Sequence, residues 1–143
     1  MPNAGDFDAA DDRTLRLSAP ALTTERLDRY IAFQRALSAA PLSADPQVVA
    51  AAHAEAIRTS GLSPREASEI DAVVRDFSGR RAVERRLRER LGTAEGDKRA
   101  RVEKELRTRN DDADLERRYG QAVLQALRAR EEALLALHLE RAR

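Results

Sequence analysis

SPREASEIDAVVRDFSGRRAVERRLRERL, residues 63–91, is the stretch whose reading decides the fold of this chain. Ser63, Pro64 and Glu66 make a capping box with proline at the first helical position, where its missing amide hydrogen costs nothing. Ile70, Val73, Val74 and Phe77 follow at helical spacing on one stripe, whereas Val83, Leu87 and Leu91 lie on a stripe rotated away from it. Ser78 and Gly79 sit at that change. The spacing therefore predicts one long helix, bent at Ser78 and Gly79, that ends near Leu91, where Gly92 and Gly96 bracket a turn.

The second half of that helix opens the strongest compositional signal in the chain. From Arg80 to Arg109 there are twelve Lys and Arg against six Asp and Glu, with only Val83, Leu87, Leu91, Val102 and Leu106 as large apolar residues. The segment charge is +6, so the remaining residues sum to −5 against a formal total of +1. Such a stretch is too charged to bury and too patterned to be random coil. Glu84 with Arg88, Arg85 with Glu89, Arg99 with Glu103, Glu103 with Arg107 and Glu105 with Arg109 all stand four apart. Each such pair supports a solvated helix by about 0.2–0.5 kcal/mol. A further helix is expected over about 98–109, so that residues 82–109 form a protruding charged hairpin.

Arg80, Arg81, Arg85, Arg86, Arg88, Arg90, Lys98 and Arg101 are the candidate interaction residues on that arm, facing an acidic protein or a phosphate backbone. No aromatic stands between Phe77 and Tyr119. Binding of single strands by base stacking is disfavoured on that ground, and backbone contact to a duplex is kept as the alternative. An acidic protein partner ranks ahead of nucleic acid, and both rank behind a face that is merely solvated.

Working outward, Leu27, Tyr30, Ile31, Gln34 and Leu37 predict a helix from Thr24 that stops before Pro41. Asp45 and Pro46 then cap a helix over about 46–59, with Val49, Ala52, His53, Ala56 and Ile57 on its apolar face and Gly61 as its left-handed stop. On the other side of the arm, Asn110, Asp111 and Asp112 mark a break. One long last helix is expected from about Ala113, with Leu115, Tyr119, Ala122, Val123, Ala126, Leu127, Leu134 and Leu137 on a broad face. Leu124, Leu135 and Leu139 lie on its other side, which calls for a second neighbour or for a homodimer. Residues 1–22, rich in Asp, Ala and Pro, read as an acidic tail that is disordered unless Leu15, Leu17 and Leu22 dock it.

The whole is an all-α expectation: an antiparallel bundle of four to five helices, two of them long, in a single domain over 23–143 with the arm at about 82–109. With 143 residues and 3% aromatics, its core is built from Leu, Val, Ile and Ala.

Catalytic and metal-binding patterns are missing. There is no cysteine, so disulfides, thiolate metal sites and cysteine nucleophiles are excluded. His53 and His138 are the only histidines, and Ala50 and Leu135 stand where a di-metal bundle motif needs Glu. Asp112, Asp114 and Glu116 alternate as in a calcium loop, yet Arg117 and Val123 occupy the positions that need Gly and Glu. Gly92 to Lys98 has the wrong spacing for a phosphate-binding loop and no strand before it. The expectation is a non-enzymatic structural or protein-interaction module with no cofactor and no metal. No stretch approaches the roughly 20 apolar residues of a membrane span. The default setting is cytoplasmic, or the cell envelope if a leader has been removed.

Two stretches, Leu22 to Leu37 (LTTERLDRYIAFQRAL) and Arg117 to Leu137 (RRYGQAVLQALRAREEALLAL), resemble a loosely defined group of small helical bacterial proteins. Some of that group are lipoproteins, and none has an assigned activity. The resemblance implies an envelope setting for some of its members; the lipid-attachment cysteine that would go with it is not in this sequence.

Overall fold

The computed structural model describes residues 22–40 and 42–141. The expected acidic tail lies outside these residues except for Leu22, which is buried. Among the described residues every regular element is an α-helix, so the fold is all-α.

Local side-chain hydrogen bonds set the first three helix starts. Thr23 Oγ1 accepts the Arg26 amide at 3.2 Å and opens α1, Thr24–Ala39. Asp45 Oδ1 accepts the Gln47 amide at 2.9 Å and opens α2, Pro46–Ser60. Gly61, at φ 77°, terminates α2 in the left-handed conformation that a side chain would oppose. At the capping box, Ser63 Oγ accepts the Glu66 amide at 3.1 Å while Glu66 Oε1 accepts the Ser63 amide at 3.3 Å. From it α3 runs without interruption over Pro64–Thr93, 30 residues, which at 1.5 Å per residue is about 45 Å. Then follow α4, Gly96–Thr108; α5, Asp111–Tyr119; α6, Gln121–Ala129; and α7, Glu131–Arg141.

The region expected as one long last helix is instead three segments. Gly120, at φ 90° and ψ 162°, is outside the helical region, and Arg130, at φ −118° and ψ 19°, separates α6 from α7. Both turns flanking Gly120 stay hydrogen-bonded: its amide donates to the Glu116 carbonyl at 2.8 Å, and its carbonyl accepts the Leu124 amide at 3.2 Å. The break therefore leaves few orphan groups and is cheap to make. The described chain holds one long helix rather than two, and seven helical segments rather than four or five.

Leu27, Tyr30, Ile70, Phe77, Leu115, Leu127 and Leu134 are fully buried at the centre of the core. They come from α1, α3, α5, α6 and α7, which places the core between α1, the long helix and the broken one. Leu124 and Leu135, expected to face a second neighbour, are buried within the chain, while Leu139 stays exposed. The apolar face of α2 is covered only in part: Ala56 is buried, but Val49 and His53 are exposed. The physical reason is that α2 has α1 as its one substantial neighbour. Helix α4 buries no residue and packs against α3.

Candidate interaction surface

The basic stretch divides into a root and a tip. At the root, Arg80 and Arg81 follow Phe77 on α3, in the turn that passes the starts of α5 and α7. Arg80 donates to Asp76 Oδ1 at 2.9 Å, to Asp111 Oδ1 at 3.1 Å and to Asp114 Oδ2 at 3.3 Å. Arg81 pairs with Asp112 at 2.7 Å and Glu131 at 2.9 Å, and its guanidinium lies 4.8 Å from the centroid of the Phe77 ring. Their side chains are only 22% and 12% exposed. Asp76 also accepts from the Tyr119 hydroxyl at 2.8 Å and from Arg118 at 3.3 Å.

These contacts set the protonation of the group. Burial disfavours ionised Asp76, but the hydrogen bonds from Arg80 and Tyr119 and the charge of Arg118 outweigh it and hold the carboxyl below its ordinary value. Burial, together with the adjacent Asp76 carboxylate, pushes the Tyr119 hydroxyl up to about 12. Arg80 is raised chiefly by its hydrogen bond to Asp76, against a desolvation cost. Desolvation works against Arg81 too, and Asp112 and Glu131 overcome it.

Farther along α3 the pairing is local. Arg85 meets Glu89 at 3.6 Å and Arg88 meets Glu84 at 2.9 Å, both across one helical turn at the surface. Arg99 donates to Glu103 at 3.1 Å and also to the Leu91 carbonyl at 3.0 Å, which satisfies an orphan acceptor at the end of α3 and staples α4 to it. Glu103 is thereby taken up by Arg99 rather than Arg107, and Arg109 turns to Asp111 at 2.9 Å rather than to Glu105.

Arg86, Arg90, Lys98 and Arg101 are exposed and make no ion pair or hydrogen bond by their side chains among the described residues. Lys104, and Arg107, which was expected to pair with Glu103, are in the same state. The structure brings three of the expected residues together: Arg90, Lys98 and Arg101 line one cleft of about 480 Å³, with Thr93, Ala94 and Val102 as its less polar wall and Glu105 as its one carboxylate. Two positive charges in excess, on flexible side chains over a partly apolar wall, suit carboxylate or phosphate groups on a partner.

Neither histidine joins this surface. His53 sits edge-on to Phe33, with ring centroids 5.4 Å apart. His138 on α7 faces α3, where a Cβ built on Gly79 would come within 4.0 Å of its Cε1. Among the described residues no group of three or more His, Asp and Glu is placed to hold a metal ion, and no helix is long and apolar enough to cross a membrane.

No family model matches the chain, and no curated protein or solved structure matches it either.

Proposed function

We propose that this chain is a non-enzymatic interaction module, an antiparallel helical bundle from which residues 82–109 project as a charged hairpin that contacts an acidic partner protein. In this reading α1 to α3 with the interrupted helix α5 to α7 make the body, and the end of α3 with α4 makes the arm. The observation that supports it is the run of exposed cations without a carboxylate partner, Arg86, Arg90, Lys98 and Arg101, beside cations at the root that are fully paired. Exposed cations lose little hydration on meeting an acidic surface, and several together steer the encounter.

The test is fluorescence anisotropy with two labelled probes, a Glu-rich peptide and a mixed-sequence DNA duplex, each titrated with the full chain at about 50 mM salt. Peptide binding that weakens about tenfold or more in the Arg90→Glu, Lys98→Glu, Arg101→Glu triple variant, with an unchanged melting curve, is expected. Binding of neither probe ends the proposal. Preferential, steeply salt-dependent binding of the duplex transfers the arm to the nucleic-acid reading, which the same unpartnered cations support.

A further inference from the structure

A second recess lies away from the arm, where α1, α2 and the first half of α3 meet. It is an open recess of about 660 Å³, with Phe33, Leu37, Ile57 and Ala67 as apolar walls. Through His53, Ile57 and Pro64 it continues into a shallower apolar recess along α2. Its two polar features stand one helical turn apart, as Tyr30 and Gln34 of α1 do.

The first is Gln34. The residue is 9% exposed and lines the recess, yet its side-chain amide has no hydrogen-bond partner among the described residues. The residue is buried as a whole, but its amide is not among the fully buried polar atoms, so it opens onto the recess and is hydrated there. It offers both an acceptor and a donor, so a ligand that carries both is matched to it in place of water.

The second is a guanidinium pair that shares one carboxylate. Asp71 accepts from the Tyr30 hydroxyl at 2.5 Å, from Arg75 Nε at 2.6 Å and from Arg141 Nη2 at 3.3 Å. Arg75 and Arg141 both line the recess, and the terminal nitrogens of Arg75 make no hydrogen bond within the described chain. One positive charge is thus left over at this end, a match for a carboxylate.

We propose that this recess binds the C-terminal end of a partner peptide: its free carboxylate on Arg75 and Arg141, its last peptide group on the Gln34 amide, and an apolar terminal side chain against Phe33, Leu37 and Ile57. A simple fatty acid would fill the apolar wall and reach the arginines but would leave Gln34 bare. A peptide group presents both an acceptor and a donor to the Gln34 amide. This inference does not depend on the arm, since no residue is common to the two surfaces.

The test uses the full chain and an N-terminally fluorescein-labelled hexapeptide ending in Ala-Val-Leu, once with a free carboxylate and once as the amide. The free acid is expected to bind, and the amide to bind at least about tenfold more weakly. Arg75→Gln, at a side chain that is 64% exposed, is expected to weaken the acid to the level of the amide, with a melting curve that shows the variant folded. Gln34→Leu is expected to weaken both probes, because it removes the contact that they share. Equal binding of acid and amide, no binding of the acid at about 1 mM, or an Arg75→Gln variant that binds the acid like wild type would each overturn the proposal. Decanoate that binds where the peptide does not would overturn it too.

Discussion

Arg81 and Arg90 are the same residue type on the same helix, nine positions apart, and the structure puts them to opposite uses. Arg81 is taken up by Asp112 and Glu131 and laid over Phe77, while Arg90 ends in solvent beside Lys98 and Arg101. The difference lies in what passes by. The starts of α5 and α7 bring carboxylates to the root, where they are also well placed against the positive end of each helix. Nothing comparable reaches the tip, because α4 carries more cations than carboxylates. Net charge along a helix therefore says little about which cations are free.

The strongest way to break this comparison is at the root. Arg81→Ala should leave Asp112 and Glu131 facing an emptied site and lower stability by about 2–3 kcal/mol, read from urea unfolding followed by circular dichroism. A loss under about 0.5 kcal/mol would make root and tip alike. Asp76→Asn should be milder, about 1–2 kcal/mol, since Arg80 keeps Asp111 and Asp114.

The acid limb of stability sharpens the same contrast. Asp76 and Asp71 have folded-state values held below the unfolded value of about 3.8. Their contribution is thus complete above that pH and is lost as the pH falls through the lowered folded values. The urea midpoint should hold steady from pH 7 to about 5 and drop below about 4, with a shallower drop in Asp76→Asn. Tyr119 works in the opposite sense: its folded value is raised from 10.0 to about 12, so its share is present below 10 and is lost as the pH climbs towards 12.

The smallest effect belongs to the tip. Arg90→Ala, Lys98→Ala and Arg101→Ala should each change stability by no more than about 0.5 kcal/mol while they weaken the acidic peptide. A tip alanine that unfolds the chain would show that its cation was structural after all.

What the sequence revealed follows the range of the interactions. The capping box at Ser63 and Glu66, the Asp45–Pro46 start and the Gly61 stop are settled within a few residues, and the structure shows all three. The breaks at Gly120 and Arg130 escaped because apolar spacing carries on across them, and a glycine inside a helical pattern costs only about 1 kcal/mol. At the candidate surface, pairs four apart were legible in kind but not in choice: Glu103 had a cation on either side and took Arg99. The partners that Arg80 and Arg81 find on α5 and α7 stand 31 to 50 residues away, beyond any periodicity. The recess by Gln34 could not be anticipated either, because at the level of spacing Gln34 belongs to the same stripe as Leu27 and Tyr30.

The bond from Arg99 to the Leu91 carbonyl has a kinetic consequence. It joins the last turn of α3 to the first turn of α4, so neither can fray without releasing the other. The amides of the last turn of α3 and of the turn into α4 should then exchange with solvent as one cooperative unit, faster than those of the Phe77 region and with a common opening rate. In Arg99→Ala that unit should split, and the end of α3 should open alone.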